Sequence, residues 1–418
     1  MGFQQGLTGL NAASKNLDVI GHNIANSQTV GFKASRTEFA EMVATAIGSA
    51  GGNNAGIGVQ VDAVAQQFTQ GNISITGNNL DVAINGNGFF QVRQPDGSMA
   101  YTRAGNFKLD DKGNVLTNNM AQLMGYPVDP LTGQRSASSP TPMVFPAGAP
   151  IAAKVTENVV VSMNLDARAT DAAGSAGPPP IAATPRSAYG TSVNVYDSQG
   201  VAVPVSLYFQ KTATSNTWDI YDKLDDPTAT PPVVATPVGQ LVFDGTGVLT
   251  SGSPLTLTVD PALTNPNNPP APFPVTIDLS KATQFGTKFA VTELTQDGYT
   301  SGQLTGINIG PDGTILTRYS NGVSRPEGQI ALASFRNTQG LADVGNNLWM
   351  ETFSSGQPIM GTPTSGNFGA LRAGALEDSN VDLTAELVNM MTAQRAYQAN
   401  AQTIKTQDQV MSTLVNLR

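Results

Sequence analysis

The sequence predicts a mainly β protein with α-helical termini: nested β-domains of barrel or sandwich type, bracketed by N- and C-terminal coiled-coil helices. Three observations predict this. Apolar residues recur in alternating four- and three-residue steps at both ends, the period of a coiled-coil seam. Between the ends, short alternating runs are separated by Gly, Asn and Asp, the punctuation of strands and tight turns. Proline clusters then cut that middle into blocks.

At the front the stripe is Phe3, Leu7, Leu10, Ser14, Leu17, Gly21 and Ile24, giving a helix from about Gln4 to about Ala25. Asn26, Ser27 and Gly31 are its stop signals. At the back the stripe runs Leu383, Leu387, Met390, Gln394, Tyr397, Ala401, Ile404, Asp408, Met411 and Val415. That helix is expected to begin near Asn380, capped by Asp378 or Ser379, with Asp382 and Glu386 near its positive end. An isolated helix of this length is marginal in water. Each seam must therefore be buried against the other end, against neighbouring copies, or both. The candidate subunit-interface residues are Phe3, Leu7, Leu10, Leu17, Ile24, Leu383, Leu387, Met390, Tyr397, Ile404 and Met411. Small Ser14 and Gly21 would permit close packing.

Gly48 to Gly58 reads as a loop. Val59, Val61 and Ala63, then Ile73 and Ile75, alternate as strands, and Leu80 to Arg93 reads as a hairpin around Asn85-Gly86-Asn87-Gly88. One pattern recurs: Phe107-Lys108-Leu109 leads through Gly113 to Val115-Leu116-Thr117, and Ile307-Asn308-Ile309 leads through Gly313 to Ile315-Leu316-Thr317. Leu241-Val242-Phe243, Gly247 and Val248-Leu249-Thr250 repeat it in shorter form. Prolines 140 to 150, 178 to 180, 231 to 232 and 261 to 274 flank further strands at Thr191 to Tyr196, Val203 to Gln210, Trp218 to Tyr221, Leu255 to Val259 and Val275 to Leu279. The expected domains are nested. A helical domain takes 1–28 and 375–418, and a linker or β-hairpin region takes 29–70 and 359–374. A β-domain takes 71–147 and 286–358, and an outer β-domain, 148–285, is inserted into it.

Composition narrows the function. Charged residues are only 13% of the chain, against roughly 25% in ordinary soluble domains. A neutral polar surface lowers repulsion between identical copies. The net charge is −9 and no Lys/Arg run occurs, so nucleic acid and anionic membranes are poor partners. With no Cys and a single His, thiol chemistry, disulfides and the usual zinc sets are unavailable. His22 is the sole candidate base and has no matching nucleophile motif. No phosphate-binding glycine loop is present. No apolar stretch is long enough to span a membrane. The front end also lacks a basic n-region followed by an apolar core, so export is expected without a cleaved leader. Catalytic, cofactor and metal residues are accordingly expected to be none.

Several segments resemble the axial proteins of the bacterial flagellum, the family of rod and hook subunits. Asn16-Leu17-Asp18-Val19-Ile20-Gly21-His22-Asn23-Ile24-Ala25-Asn26 with Thr29-Val30-Gly31-Phe32-Lys33 is similar to the family's front signature. Leu80 to Phe90, Tyr101-Thr102-Arg103-Ala104-Gly105-Asn106-Phe107, Leu376-Glu377-Asp378-Ser379-Asn380-Val381-Asp382 and Gln394-Arg395-Ala396-Tyr397-Gln398-Ala399-Asn400 resemble its other blocks. The long inserted region, Tyr319-Ser320-Asn321-Gly322 and Ile330 to Asn337 look like hook-type members.

The resemblance implies a structural subunit, not an enzyme. It would self-assemble outside the cell into a flexible hollow tube, a universal joint that links the basal-body rod to the filament and transmits torque. Terminal helices would line the tube and β-domains would form its outer layers. The implied partners are other copies of the chain, the distal rod protein, the hook cap and hook–filament junction proteins, and the flagellar type III export apparatus. Spirochaete members are cross-linked through a cysteine; this chain has none, so its polymer would be noncovalent. The competing readings are a distal rod subunit and, from a different class, a secreted β-rich glycan-binding or hydrolytic protein.

Overall fold

The computed structural model describes residues 2–43, 56–129, 133–145, 150–170, 186–225 and 235–416. They are mostly strand, with one long helix at each end: α1 (Gly2–Ala25) and α2 (Leu383–Asn416). The α2 helix starts at Leu383, the first residue of its stripe and later than the expected Asn380, and neither Asp378 nor Ser379 caps it. Asp382 does, its Oδ1 accepting from the backbone N–H groups of Thr384 at 2.9 Å and Ala385 at 3.1 Å.

The chain divides into two compact units, residues 1–148 with 305–318 and 324–418, and residues 149–304 with 319–323. In the first, β1 (Ser35–Val43) and β2 (Gly56–Gln66) form an antiparallel ribbon. Most of the expected Gly48 to Gly58 loop lies outside the described residues, and Gly56 to Gly58 already belong to β2. β3 (Ile73–Ile75) pairs with Ala375–Glu377, and β4 (Val82–Asn85) pairs with Ala370–Ala373. β5 (Phe89–Arg93) pairs with β6 (Met99–Thr102). The expected hairpin at Asn85 to Gly88 is therefore not one. The chain leaves β4 through Gly86 and Gly88, both with positive φ, and joins a different sheet. That sheet runs in the order Leu304–Ile309, Thr314–Tyr319, Ser324–Ile330, Gln122–Pro127, β5, β6, Leu348–Met350, Ala342–Gly345. Phe89, Tyr101, Ala333, Phe335 and Trp349 close its core, with Phe68 packed against them. Their rings meet edge to face, which suits the ring quadrupole.

The second unit packs two five-stranded sheets on one core. Alternating residues of Asn158–Asp166, Ala202–Lys211 and Leu255–Val259 point inward, and Trp218, Phe209 and Ile277 are fully buried among them. This unit runs past the expected boundary at 285. Ala290–Gln296 lies antiparallel on Asn158–Asp166, so the chain must complete that sheet before it leaves. Segments 359–361 and 370–373, expected in a linker or β-hairpin region, are strands of the first unit and pair with Leu332–Ser334 and Val82–Asn85. Contacts thus resolve two units where the sequence suggested four regions.

The recurring turn has a clear local cause. Gly113, Gly247 and Gly313 have φ of +84°, +85° and +80°, a region that L side chains enter at a cost. At two of the turns an aspartate locks the geometry. Asp110 Oδ1 accepts from Lys112 and Asn114, and Asp244 Oδ1 accepts from Thr246 and Val248.

Candidate assembly interface

The two terminal helices lie against each other and run antiparallel. Gly6 of α1 faces Ile404, Gly9 faces Asn400, and Asn23 Nδ2 donates to Glu386 Oε1 at 3.2 Å. The side of α1 that makes this contact is not the leucine stripe. It is a neighbouring stripe, small at Gly6, Gly9 and Ala13 and continued by Ile20 and Asn23. A Cβ on Gly6 would stand 3.1 Å from Ile404, and one on Gly9 would stand 2.9 Å from the Asn400 amide. Ala393 is the buried residue of α2 on this seam. The other flank of α1 rests on the β1–β2 ribbon, where Gln5 Nε2 donates to Gly56 O at 2.7 Å.

The leucine stripe is consequently left over. Phe3, Leu7, Leu383, Leu387, Tyr397 and Met411 are exposed, as are Val388, Met391 and Val410. Leu10, Leu17, Ile24 and Met390 are half-buried. Ile404 is half-buried by Gly6 of its own chain, so it serves the internal seam. Gly21, expected to allow close packing, has no atom near its missing Cβ. The helices also differ in length, 24 residues against 34. With Gly6 level with Ile404, the last turns of α2, including Val410 and Met411, project past the start of α1.

Just outside the helices lies a buried ionic knot that the sequence stripe does not reveal. Lys33 Nζ sits 2.5 Å from Glu377 Oε1 and donates to Thr69 O at 2.7 Å. Arg103 reaches Glu377 Oε2 at 3.2 Å, and the Gly71 N–H donates to Glu377 Oε1 at 3.0 Å. The Lys33 and Glu377 side chains are fully buried. Burial pulls the Lys33 ammonium below its ordinary value while Glu377 pulls it back up, and the Arg103 guanidinium is lowered by the same desolvation. Beside the knot, Asn380 accepts from the Ala34 N–H at 2.7 Å and donates to Gln67 O at 2.7 Å. Asn23 exchanges two hydrogen bonds with the Ser35 backbone, each 2.8 Å. The signal for these residues was a charge set directly beside an apolar neighbour: Phe32-Lys33, Arg103-Ala104, Leu376-Glu377. Such a charge is expected to be paired when its neighbours are buried.

His22 stacks edge-on against Phe32, 5.5 Å between centroids, and its Nδ1 lies 3.4 Å from the Asn26 amide. That is a packing role at the end of α1.

Known proteins match throughout. Residues 3–33 match the family described as flagella basal body rod protein, and residues 83–168 the flagellar hook protein FlgE/F/G D1 domain. Residues 164–299 match the flagellar basal body protein FlaE D2 domain, and residues 372–417 the flagellar basal body rod FlgEFG protein C-terminal family. The flagellar hook protein FlgE of Salmonella typhimurium is 44% identical, with 100% of both chains covered. That of Escherichia coli K12 is 43% identical over 100% of both. That of Borreliella burgdorferi is 32% identical over 99% of this chain and 98% of its own. The crystal structure of Helicobacter pylori flagellar hook protein FlgE2 shares the fold, with a TM-score of 0.53 at 17% identity over 73% of this chain and 100% of that one.

Proposed function

We propose a function from one premise: the chain belongs to the flagellar hook protein family. It is a structural subunit of the bacterial flagellar hook, and it polymerises with copies of itself. Identity to hook proteins over the full chain favours this reading over the rod and glycan-binding alternatives. The observation that carries the assembly mechanism is the leftover stripe. The helices have already paired through Gly6, Gly9 and Ala13, yet Leu7, Leu383, Leu387, Val388 and Met391 stay in water. Burying each Leu-sized side chain against a neighbour contributes about 1.5–3 kcal/mol. Several per subunit offset the ordering cost of association.

The inner layer of the tube is then built from paired helices whose small-residue seam is internal and whose large-residue stripe is shared between subunits. The α2 overhang carries Met411 into the next subunit's helices. The role is structural, not catalytic. The polymer's ends meet the distal rod protein, the hook cap and the hook–filament junction proteins, and the chain reaches its site through the flagellar export apparatus; family membership supports these partners. Electron microscopy of the purified chain at high concentration tests the reading. Tubes are expected for the native chain and none for Leu387→Asp, whose thermal melting stays unchanged because Leu387 is half exposed. Normal tubes from Leu387→Asp would refute the shared stripe.

A further inference from the structure

Phe353 is the most exposed large apolar residue described, its side chain entirely in water. It does not sit on a loose loop. Thr352 N–H donates to Ser355 Oγ at 2.9 Å, and Ser355 Oγ donates to Thr352 O at 2.9 Å. Thr352 Oγ1 donates to Gly340 O at 2.5 Å and accepts from Ser354 N–H at 3.1 Å, while Asn337 Nδ2 donates to Ser354 O at 3.1 Å. Gly356 closes the turn with φ of +72°. The backbone under the ring is therefore fixed from both sides, and little conformational freedom remains to be lost on docking.

We propose that Phe353 is a preformed knob that docks into a second copy of this chain, a contact separate from the terminal helices. This rests on the polymeric reading above. Three features choose a second copy as the occupant. Subunits of a helical tube meet through heterologous faces, so a projection on one face is matched on a different face of the same molecule. From Thr352 to Ile359 the segment carries no charge, and the one carboxylate just before it, exposed Glu351, accepts from the Tyr101 hydroxyl at 3.2 Å; in a chain that carries −9, a copy meets little like-charge repulsion here. Ile359, six residues further along the same uncharged segment, is also half exposed and offers a copy a second apolar group.

The test uses the full chain. Phe353→Ala is expected to raise the critical concentration for tube formation about tenfold or more, with unchanged thermal melting because the side chain is fully exposed among the described residues. Phe353→Leu should fall between. Replacing Phe353 with a benzoyl-phenylalanine photo-crosslinker should give covalent dimers and longer ladders in assembled tubes, and none in dilute monomer. Tubes that form at the native concentration from Phe353→Ala, or a crosslinker that captures only a different protein or added lipid vesicles, would overturn the proposal. Failure of the native chain to form tubes would instead strike the hook reading itself, so the two failures are distinguishable.

Discussion

Glu377→Gln is the sharpest perturbation of the first unit. The amide keeps the shape of the carboxylate and can still accept from the Gly71 N–H, which donates to Glu377 at 3.0 Å. It removes the single negative charge between Lys33 and Arg103, whose side chains are 0% and 6% exposed. Leaving a buried charge without its partner costs about 3–5 kcal/mol, a large share of a typical domain's 5–15 kcal/mol or so. The loss should depend on pH in a defined direction. Burial already holds the Lys33 ammonium below its ordinary 10.5, so between the folded value and 10.5 the unfolded chain binds more protons and stability rises with pH. Glu377 pulls Lys33 upward; without it the folded value falls further and that window widens toward neutrality. Glu377→Gln should therefore be most destabilised near neutral pH and recover as the pH approaches 10.5. The chain has two Trp residues, Trp349 in the first unit and Trp218 in the second, so urea unfolding followed by fluorescence in a Trp218→Phe background reports the first unit alone. A triple variant, Lys33→Met, Arg103→Met and Glu377→Leu, should regain most of the loss, since an apolar replacement of a whole buried ion cluster is often neutral. A loss below about 1 kcal/mol, the scale of an exposed pair, or one that ignores pH, would refute the reasoning.

Two further predictions rest on local contacts, one in each unit. Gly9→Leu pushes a side chain into the Asn400 amide, where even a Cβ would stand at 2.9 Å; the helices should separate, with loss of helical circular dichroism and of tubes while Trp218 fluorescence stays native. In the second unit, burial opposes the charge on Asp297, yet hydrogen bonds from Asn158, Lys154 and Glu157 outweigh it and hold the carboxyl below its ordinary 3.8. Its contribution is present above 3.8 and lost as the pH falls through the lower folded value, so Asp297→Asn should cost about 1.5–3 kcal/mol near neutrality and show a shallower acid dependence of melting than the native chain.

Helices and turns were legible in the sequence because their causes are local. The striped ends, and the Asp/Gly turns at Gly113, Gly247 and Gly313, are set by residues a few positions apart. What hydrophobic period cannot show is a seam made of Gly6, Gly9 and Ala13, because small residues carry no hydrophobic signal; the stripe it does show is the one left outside. Strand pairing failed for a different reason. Val82–Asn85 takes its partner from Ala370–Ala373, and Asn-Gly pairs that normally signal a local hairpin say nothing about a strand that distant. Asp382 outcompeted Asp378 and Ser379 as a cap because the preceding residues were committed elsewhere: Asp378 accepts from Ser74, and Asn380 clamps Ala34 and Gln67.

Those commitments bear on torque. A joint that bends while it rotates needs sliding contacts between subunits and rigid connections within each one. Within this subunit two covalent strands leave the helix pair, one after Ala25 and one before Leu383. Two flexible tethers would let the helices swivel and lose the transmitted angle. Here both strands are pinned within a few residues of the helices. Asn23 holds Ser35, Asn380 holds Ala34 and Gln67, and Glu377 bonds Lys33 and Arg103 by its side chain and the Gly31 N–H by its carbonyl. Asn23 ties the end of α1 itself to Ser35, and the other pins join one tether to the other or to the β framework, so turning the helices about their own axis strains several short hydrogen bonds together. Compliance is therefore left to contacts between copies, which a sparsely charged, Gly- and Thr-rich chain makes weak and replaceable. Weakening the pins with Asn380→Ala should leave tubes that form but twist more readily under load in an optical-trap torsion assay, whereas an unchanged torsional stiffness would move the compliance elsewhere in the subunit.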